Sequence, residues 1–385
     1  TVRTDPGHAI CRVVHVRATQ EETMALHRRS FLKFASLAGT GAAFGISAPA
    51  IVRAATPIKL TLPWLPLGTY SFTFVAKKLG YWEKRGLDVS IDRGFGSTKV
   101  CVPVDQGQYD FGLIDMAVLA GCAGRGLDLV AIAGIWPRSP IGIFSLKELN
   151  ITEPKQLEGQ SIGFDVGGGE FQLWPAFVKA TGIDASKVQI VSMDAPGLMR
   201  AAADKSIKVV GNFFGSIAPT FWANRIDINA MFYEDYGVKM CSIVAACKRA
   251  TIEKKPEICK AFIDGLLEGL KFAYLNPEKA IDLHVESLKE FQGGAPATRE
   301  VLFYGQEVGT SLGFVPSFKE HGLGTIDSQL AEVTRQSVET YMGIKTVPPT
   351  KELYTNQFVG SVKLTPAEWS EVEQRVKKEL PSMRG

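Results

Sequence analysis

A two-lobed α/β fold with mainly parallel sheets is what the sequence predicts, and three observations predict it. The 385 residues exceed what a single hydrophobic core organises, so two packed domains are expected. Short apolar strands alternate with helical patterns, the signature of a sheet covered on both faces. That alternation runs in two series, with crossings near residues 142 and 242. A composition of 45% hydrophobic and 22% charged residues is that of an ordinary globular chain and excludes fibrous and disordered classes.

The first series opens with the strand Ile58 to Leu62, followed by apolar residues at helical spacing from Phe72 to Leu79 and the strand Leu87 to Ile91. Ser97 and Thr98 are placed to cap a helix toward Gln106. Tyr109 to Ile114 reads as a strand, and Asp115 caps a helix ending near Gly124. Leu129 to Ile135 is the next strand. The second series starts at Ile141 to Phe144 and continues through the strand Ser161 to Phe164, the loop Gly167-Gly168-Gly169, and a helix ending near Gly182. Val188 to Val191, a helix from Pro196 to Ala203, Ile207 to Phe213 and Ile228 to Phe232 complete it, and Ser242 to Ala246 leads back. Pro256 opens a long amphipathic helix with Phe262, Ile263, Leu266 and Leu270 on its inner face. Thr365-Pro366-Ala367-Glu368 is a capping box for a final helix toward Leu380. The expected division is 1–55 leader, 56–142 with 243–345 as lobe 1, 143–242 as lobe 2, and 346–385 as a C-terminal helical segment.

Residues 27–33 read HRRSFLK and precede a mildly apolar, Ala/Gly-rich run that ends in Arg53-Ala54-Ala55. This resembles a twin-arginine export signal, with cleavage expected after Ala54 or Ala55 and a periplasmic destination. Residues 1–23 have no place in such a signal and read as an upstream extension or a misplaced start. The formal charge of +3 resides in this leader; beyond it 36 basic residues face 37 acidic ones, so neither nucleic acid nor an anionic membrane is an expected partner.

Five cysteines remain beyond the leader: Cys101, Cys122, Cys241, Cys247 and Cys259. They lack Cys-x-x-Cys spacing and are separated by apolar residues, so buried free thiols are expected in preference to a metal site, with one fortuitous disulfide left open. His284 and His321 have no acidic or cysteine neighbours at ligand spacing, and so support neither a zinc site nor a triad. No cofactor is expected.

Three stretches carry a family likeness: Thr61-Leu62-Pro63-Trp64; Val75 to Trp82 followed by Gly86-Leu87-Asp88-Val89; and Gln106-Gly107-Gln108-Tyr109-Asp110-Phe111-Gly112. With them the chain is similar, from Ile58 to about Gly343, to periplasmic binding proteins of the taurine, nitrate and sulfonate type, and particularly to thiamine-pyrimidine-precursor receptors. The resemblance implies the type II periplasmic-binding-protein fold, with two crossovers as a hinge and a ligand cleft between the lobes. It also implies a monomeric receptor that hands a small molecule to an ABC permease and performs no chemistry. The pyrimidine synthases of the same family need a cysteine-rich motif and a substrate histidine, and neither is present.

Positions where a strand gives way to a helix point backbone donors and short polar side chains into such a cleft. Ser97, Thr98, Asp115, Met116, Asp165, Gly168, Gly169 and Glu170 are the candidates on this rule, although Asp115 and Asp165 serve equally as helix caps and the glycines as a flexible turn. Among the aromatics of these loops, Trp64 and Tyr70 are the leading ring-stacking candidates, with Phe72, Trp136 and Phe213 beside them. Phe213 and Phe214 cannot both face one side of a strand, so one of them packs. Of the basic residues only Lys99, Arg138 and Arg200 fall near cleft loops, which favours a planar heterocycle with exposed amines over a sulfonate, nitrate or aromatic carboxylate. An enzyme of the same two-lobed fold is the remaining alternative.

Overall fold

Alternating buried and exposed positions make Thr56–Thr61 (β1) and Leu87–Asp92 (β2) half-buried strands, which pair in parallel along their whole length. The computed structural model describes residues 55–291 and 297–380; the proposed leader lies outside these described residues. Ser71–Lys78 (α1) joins the two strands, and Ser97–Asp105 (α2), Phe111–Asp115 (β3), Met116–Gly124 (α3) and Leu129–Gly134 (β4) follow. The chain then builds a second sheet from Ile141–Leu146 (β5), Ser161–Phe164 (β6), Gln189–Ser192 (β7), Val209–Phe213 (β8) and Ile228–Phe232 (β9). Its helices are Gly169–Gln172 (α4), Trp174–Thr181 (α5), Ala195–Ala203 (α6) and Phe214–Ala223 (α7). Ile243–Lys248 (β10) returns to the first sheet. Arg249–Lys254 (α8), Pro256–Leu275 (α9), Pro277–Leu288 (α10) and Arg299–Ser311 (α11) come next, and Pro316–His321 (α12), Ser328–Tyr341 (α13), Thr350–Leu353 (α14) and Pro366–Glu379 (α15) complete the chain.

Strand orders are β2-β1-β3-β10-β4 in the first sheet and β7-β6-β8-β5-β9 in the second. In each, four strands run one way and one runs against both its neighbours: β10 in the first sheet and β5 in the second. These two are the strands that each lobe receives directly from the other, so every crossover delivers a reversed strand to the middle of a sheet. Mixed pairing is thus built into a sheet whose strand directions are mainly parallel. The crossings occupy residues 135–140 and 233–242.

Two expected elements differ. The helix after the glycine loop breaks at Leu173 into α4 and α5, because Pro175 has no N–H to continue the first segment. The helix α7, which sequence periodicity did not single out, follows β8 without a side-chain cap.

The first lobe is held by rings and long helices. Phe262 of α9 stacks between Phe111 and Trp82 at centroid distances of 3.9 and 5.5 Å, and the Trp82 indole N–H donates to the Phe262 carbonyl at 2.9 Å. The capping box at Thr365 and Glu368 starts α15, which lies on α11 through a buried Glu307 paired with Arg375 at 3.2 Å. Residues 346–380 therefore belong structurally with the first lobe. In the second lobe Phe177 stacks on Tyr233 at 4.5 Å. Among the described residues no helix is long and apolar enough to cross a membrane.

Candidate functional site

Because β10 and β5 are reversed, their starts lie beside the carboxyl ends of the other strands, and those ends face each other across the gap between the lobes. A narrow, nearly closed cavity lies there. Its wall on the first lobe is Pro63, Trp64, Tyr70, Gly96, Ser97 and Ile243, and on the second Gly168, Gly169, Glu170, Asn212, Phe213 and Ser216. The lobes touch at its rim. Thr98 Oγ1 donates to the Gly167 carbonyl at 3.1 Å, and Gly96 has a positive φ of 101°. A β-carbon on Gly96 would meet that same carbonyl at 3.0 Å, so the closing surfaces are backbone against backbone.

The polar groups of the wall differ in how far they are satisfied. Asp115 sits just behind it, fully buried, and is spoken for: Oδ1 accepts from the Ala117 and Val118 N–H groups at 3.0 and 3.4 Å, and Oδ2 accepts from Ser242 Oγ at 3.1 Å. Burial pushes its carboxyl up to about 6, against those three hydrogen bonds. Glu170 is equally buried, but its carboxyl has no side-chain partner among the described residues and leans on its own N–H; Tyr233 donates to its backbone carbonyl at 3.2 Å. Burial holds this carboxyl well above the usual carboxylate range, with Asp165 and Asp115 adding to the effect. A β-carbon on Gly168 would fall 2.3 Å from Glu170 Oε1, so that glycine makes room for the acid. The Trp64 indole N–H and the Asn212 Nδ2 group are buried donors without acceptors. Asn212 Oδ1 accepts from the Phe213 N–H at 2.6 Å. No Lys, Arg or His lines the cavity.

The sequence candidates divide. Trp64, Tyr70, Ser97, Gly168, Gly169, Glu170 and Phe213 are brought together in the wall. Phe72, Thr98, Asp115, Met116, Trp136 and Asp165 are not. Phe72 and Met116 point into core, because a helix start offers only one face to the cleft. Trp136 stacks behind Tyr70 at 5.4 Å and so positions that ring. Ser97 and Thr98 are not caps of α2: Gly96 is the cap residue, Ser97 Oγ accepts from the Asp115 N–H at 3.1 Å, and Thr98 reaches the other lobe. Asp165 accepts from the Gly167 N–H at 2.9 Å and shapes the glycine turn. Arg138 pairs with Glu234 at 3.2 Å, outside the cavity. His284 is buried against Phe74 at 4.4 Å, and burial lowers it to about 3.

Asn212 and Ser216 are the polar wall residues that sequence reasoning missed. They flank the β8-to-α7 boundary, and the strand-to-helix rule that found Ser97 and Glu170 would have found them had α7 been recognised.

A family model described as NMT1/THI5 like matches residues 69–280. The riboflavin-binding protein RibY of Chloroflexus aurantiacus is 25% identical over 313 residues, covering 78% of this chain and 86% of its own. A formylaminopyrimidine-binding protein of Halalkalibacterium halodurans is 24% identical over 228 residues, or 59% of this chain and 69% of its own. In structure, the alkanesulfonate-binding protein SsuA of Xanthomonas axonopodis pv. citri superposes with a TM-score of 0.60 at 10% identity, over 79% of this chain and 100% of that one. At that identity the likeness speaks to the fold alone.

Proposed function

This chain belongs to the NMT1/THI5-like family, and we propose that it is the solute-binding receptor of an ABC importer, capturing a small planar heterocycle between its lobes. The relatives it matches are mostly named as binding proteins, which supports a receptor over an enzyme. The carrying observation is the composition of the cavity wall. Three ring faces, two N–H donors unpartnered among the described residues and a buried carboxyl that burial pushes toward its neutral form surround a space whose described lining holds no cation. A sulfonate or nitrate would meet an acid and no counter-charge there. In its neutral form that carboxyl presents O–H and C=O side by side, which matches the N=C–NH₂ edge of an aminopyrimidine. Trp64 and Tyr70 supply stacking faces, and Asn212 and the Trp64 N–H supply donors to ring substituents.

The cavity is nearly closed, so a ligand of either size, single ring or flavin, enters only with the lobes further apart. Calorimetric titration with formylaminopyrimidine, riboflavin, an alkanesulfonate and nitrate tests the reading. Micromolar or tighter binding of an aminopyrimidine, recovered chemically unchanged, is expected; preference for an anion would overturn it. Glu170→Gln retains a donor and an acceptor and should bind within about tenfold of the parent, whereas Glu170→Leu should lose about a hundredfold, the cost of leaving a buried paired contact unmade.

The receptor acts as a monomer delivering to a membrane permease, and HRRSFLK directs twin-arginine export to the periplasm. Replacing Arg28 and Arg29 with Lys should retain the precursor in the cytoplasm; unchanged delivery would reject that route.

A further inference from the structure

The lobes also meet away from the rim. The helix α7 of the second lobe lies along α11 of the first, with Trp222 edge-on to Tyr304 at 5.6 Å and Arg225 paired with Glu300 at 3.4 Å. The inner end of this seam adjoins the crossing at residues 135–140: the Phe214 N–H donates to the Pro140 carbonyl at 2.8 Å, and a β-carbon on Gly309 would stand 3.7 Å from Trp136 Nε1. Thr69, one residue before the cavity ring of Tyr70, is clasped there. β-Carbons on Gly305 and Gly309 would stand 3.3 Å from its N and 3.5 Å from its Cα, and one on Gly68 would fall on the Leu302 carbonyl, so α11 rests directly on the Gly68–Tyr70 backbone. From the other lobe comes Gly215, whose β-carbon would stand 2.7 Å from Thr69 Cγ2 and 3.2 Å from Val308 Cγ1.

Gly215 has no positive φ, so its backbone does not require glycine, and alanine there would favour the helix. What requires glycine is the contact between the lobes. Thr69 is buried and β-branched, and its Oγ1 has no hydrogen-bond partner among the described residues, so what it presents to the second lobe is a methyl with little room to turn. Gly215 also lies among Asn212, Phe213 and Ser216, which form the second lobe's side of the cavity together with the glycine turn. Resting on the receptor reading above, we infer that the α7–α11 seam is the pivot of lobe closure and that Gly215 against Thr69 is its stop: the missing side chain sets how near Asn212, Phe213 and Ser216 come to Trp64 and Tyr70. Gly215 is thus a positioning residue, acting on the cavity through its neighbours. A packed seam beside a crossing turns through a short arc while the rim at Gly96 and Gly167 swings through a longer one, so a methyl added at the stop is magnified where the lobes meet.

The test moves one methyl across the seam. Gly215→Ala adds it to the second lobe, Thr69→Ser removes Cγ2 from the first, and the double variant conserves the total volume. Formylaminopyrimidine is the calorimetric probe, and each protein is also followed without ligand by hydrogen exchange over residues 214–217 and 305–311. Gly215→Ala should bind about tenfold more weakly or worse, with faster exchange in both segments, and the double variant should return to within about threefold of the parent, with parental exchange. With a parent that binds the probe, affinity decides: parental affinity in Gly215→Ala, or a double variant no tighter than the single one, would overturn the inference. A parent that does not bind formylaminopyrimidine rejects the heterocycle reading and leaves the seam to be judged on exchange, where an unchanged Gly215→Ala, or no return in the double variant, rejects it. If Gly215→Ala does not refold, a folded and exchange-protected double variant supports the contact, and failure of both rejects it.

Discussion

The two lobes share a topology and differ in how it is covered. In both, inner strands such as β3 and β5 are buried at every position, but in the first the edge strand β4 is too, and α9, α10, α11 and α15 add further helices on that side. In the second, the edge strands β7 and β9 are half-exposed, and the covering helices run 10 residues at most. Equal strand order therefore does not mean equal rigidity: the apolar area removed from water, and with it the stabilisation per lobe, is larger on the side that carries the C-terminal helices. The first lobe is the more heavily covered of the two, and its α11 also packs on α7 of the second.

The sharpest way to break this comparison is to hollow each lobe in turn. Phe262→Ala removes the ring between Phe111 and Trp82 and should cost about 3 to 5 kcal/mol. The corresponding Phe177→Ala in the second lobe should cost less, with hydrogen exchange faster in β7 and β9 but unchanged in β1 and β3. Equal losses, or exchange that rises everywhere, would show that the lobes unfold as one.

A smaller effect separates the acids behind the cavity. Asp115 has a folded pKa of about 6 against an ordinary 3.8, so the native state holds a proton that the unfolded chain releases. Stability should therefore fall as pH rises from about 4 to about 6 and level off above, by roughly 3 kcal/mol at most for this group. Asp115→Asn retains an acceptor for the Ala117 N–H and should remove Asp115's share of that slope in urea denaturation at each pH. An unaltered slope would assign it to other buried acids, Glu170 first.

Next in size is the ring contact. Trp64→Ala should weaken binding of a planar ligand by about 1 to 3 kcal/mol, measured by calorimetry alongside Tm. Tm loss without affinity loss would make Trp64 a packing residue of the first lobe. Smallest is the rim: Thr98→Ala removes the side-chain hydrogen bond to the Gly167 carbonyl and should cost about 1 kcal/mol of closure, read as roughly fivefold weaker binding with little change in Tm.

Much of the fold was legible because strand and helix periods alternate clearly and caps such as Asp115 and Thr365 carry their own chemistry. The site was legible only in part. Local pattern locates a strand-to-helix boundary, and so found Ser97, Gly168 and Glu170, but it does not say which face of the first turn looks into the cleft. Phe72, Met116 and Trp136 were placed there on proximity in sequence and turn instead into packing. Asn212 and Ser216 were missed because α7 opens on Phe213-Phe214 with no capping side chain, so nothing polar marked its start.

The meeting of Gly96 with Gly167 at the rim also has a bearing on time. With the Gly96 and Gly167 backbones and the Thr98 hydroxyl meeting there, an enclosed molecule is expected to depart when the lobes separate. Residence is then set by how often the lobes open in the bound state, and a ligand that bridges both walls slows that opening in proportion to its grip. Whatever unloads this protein must work on that opening.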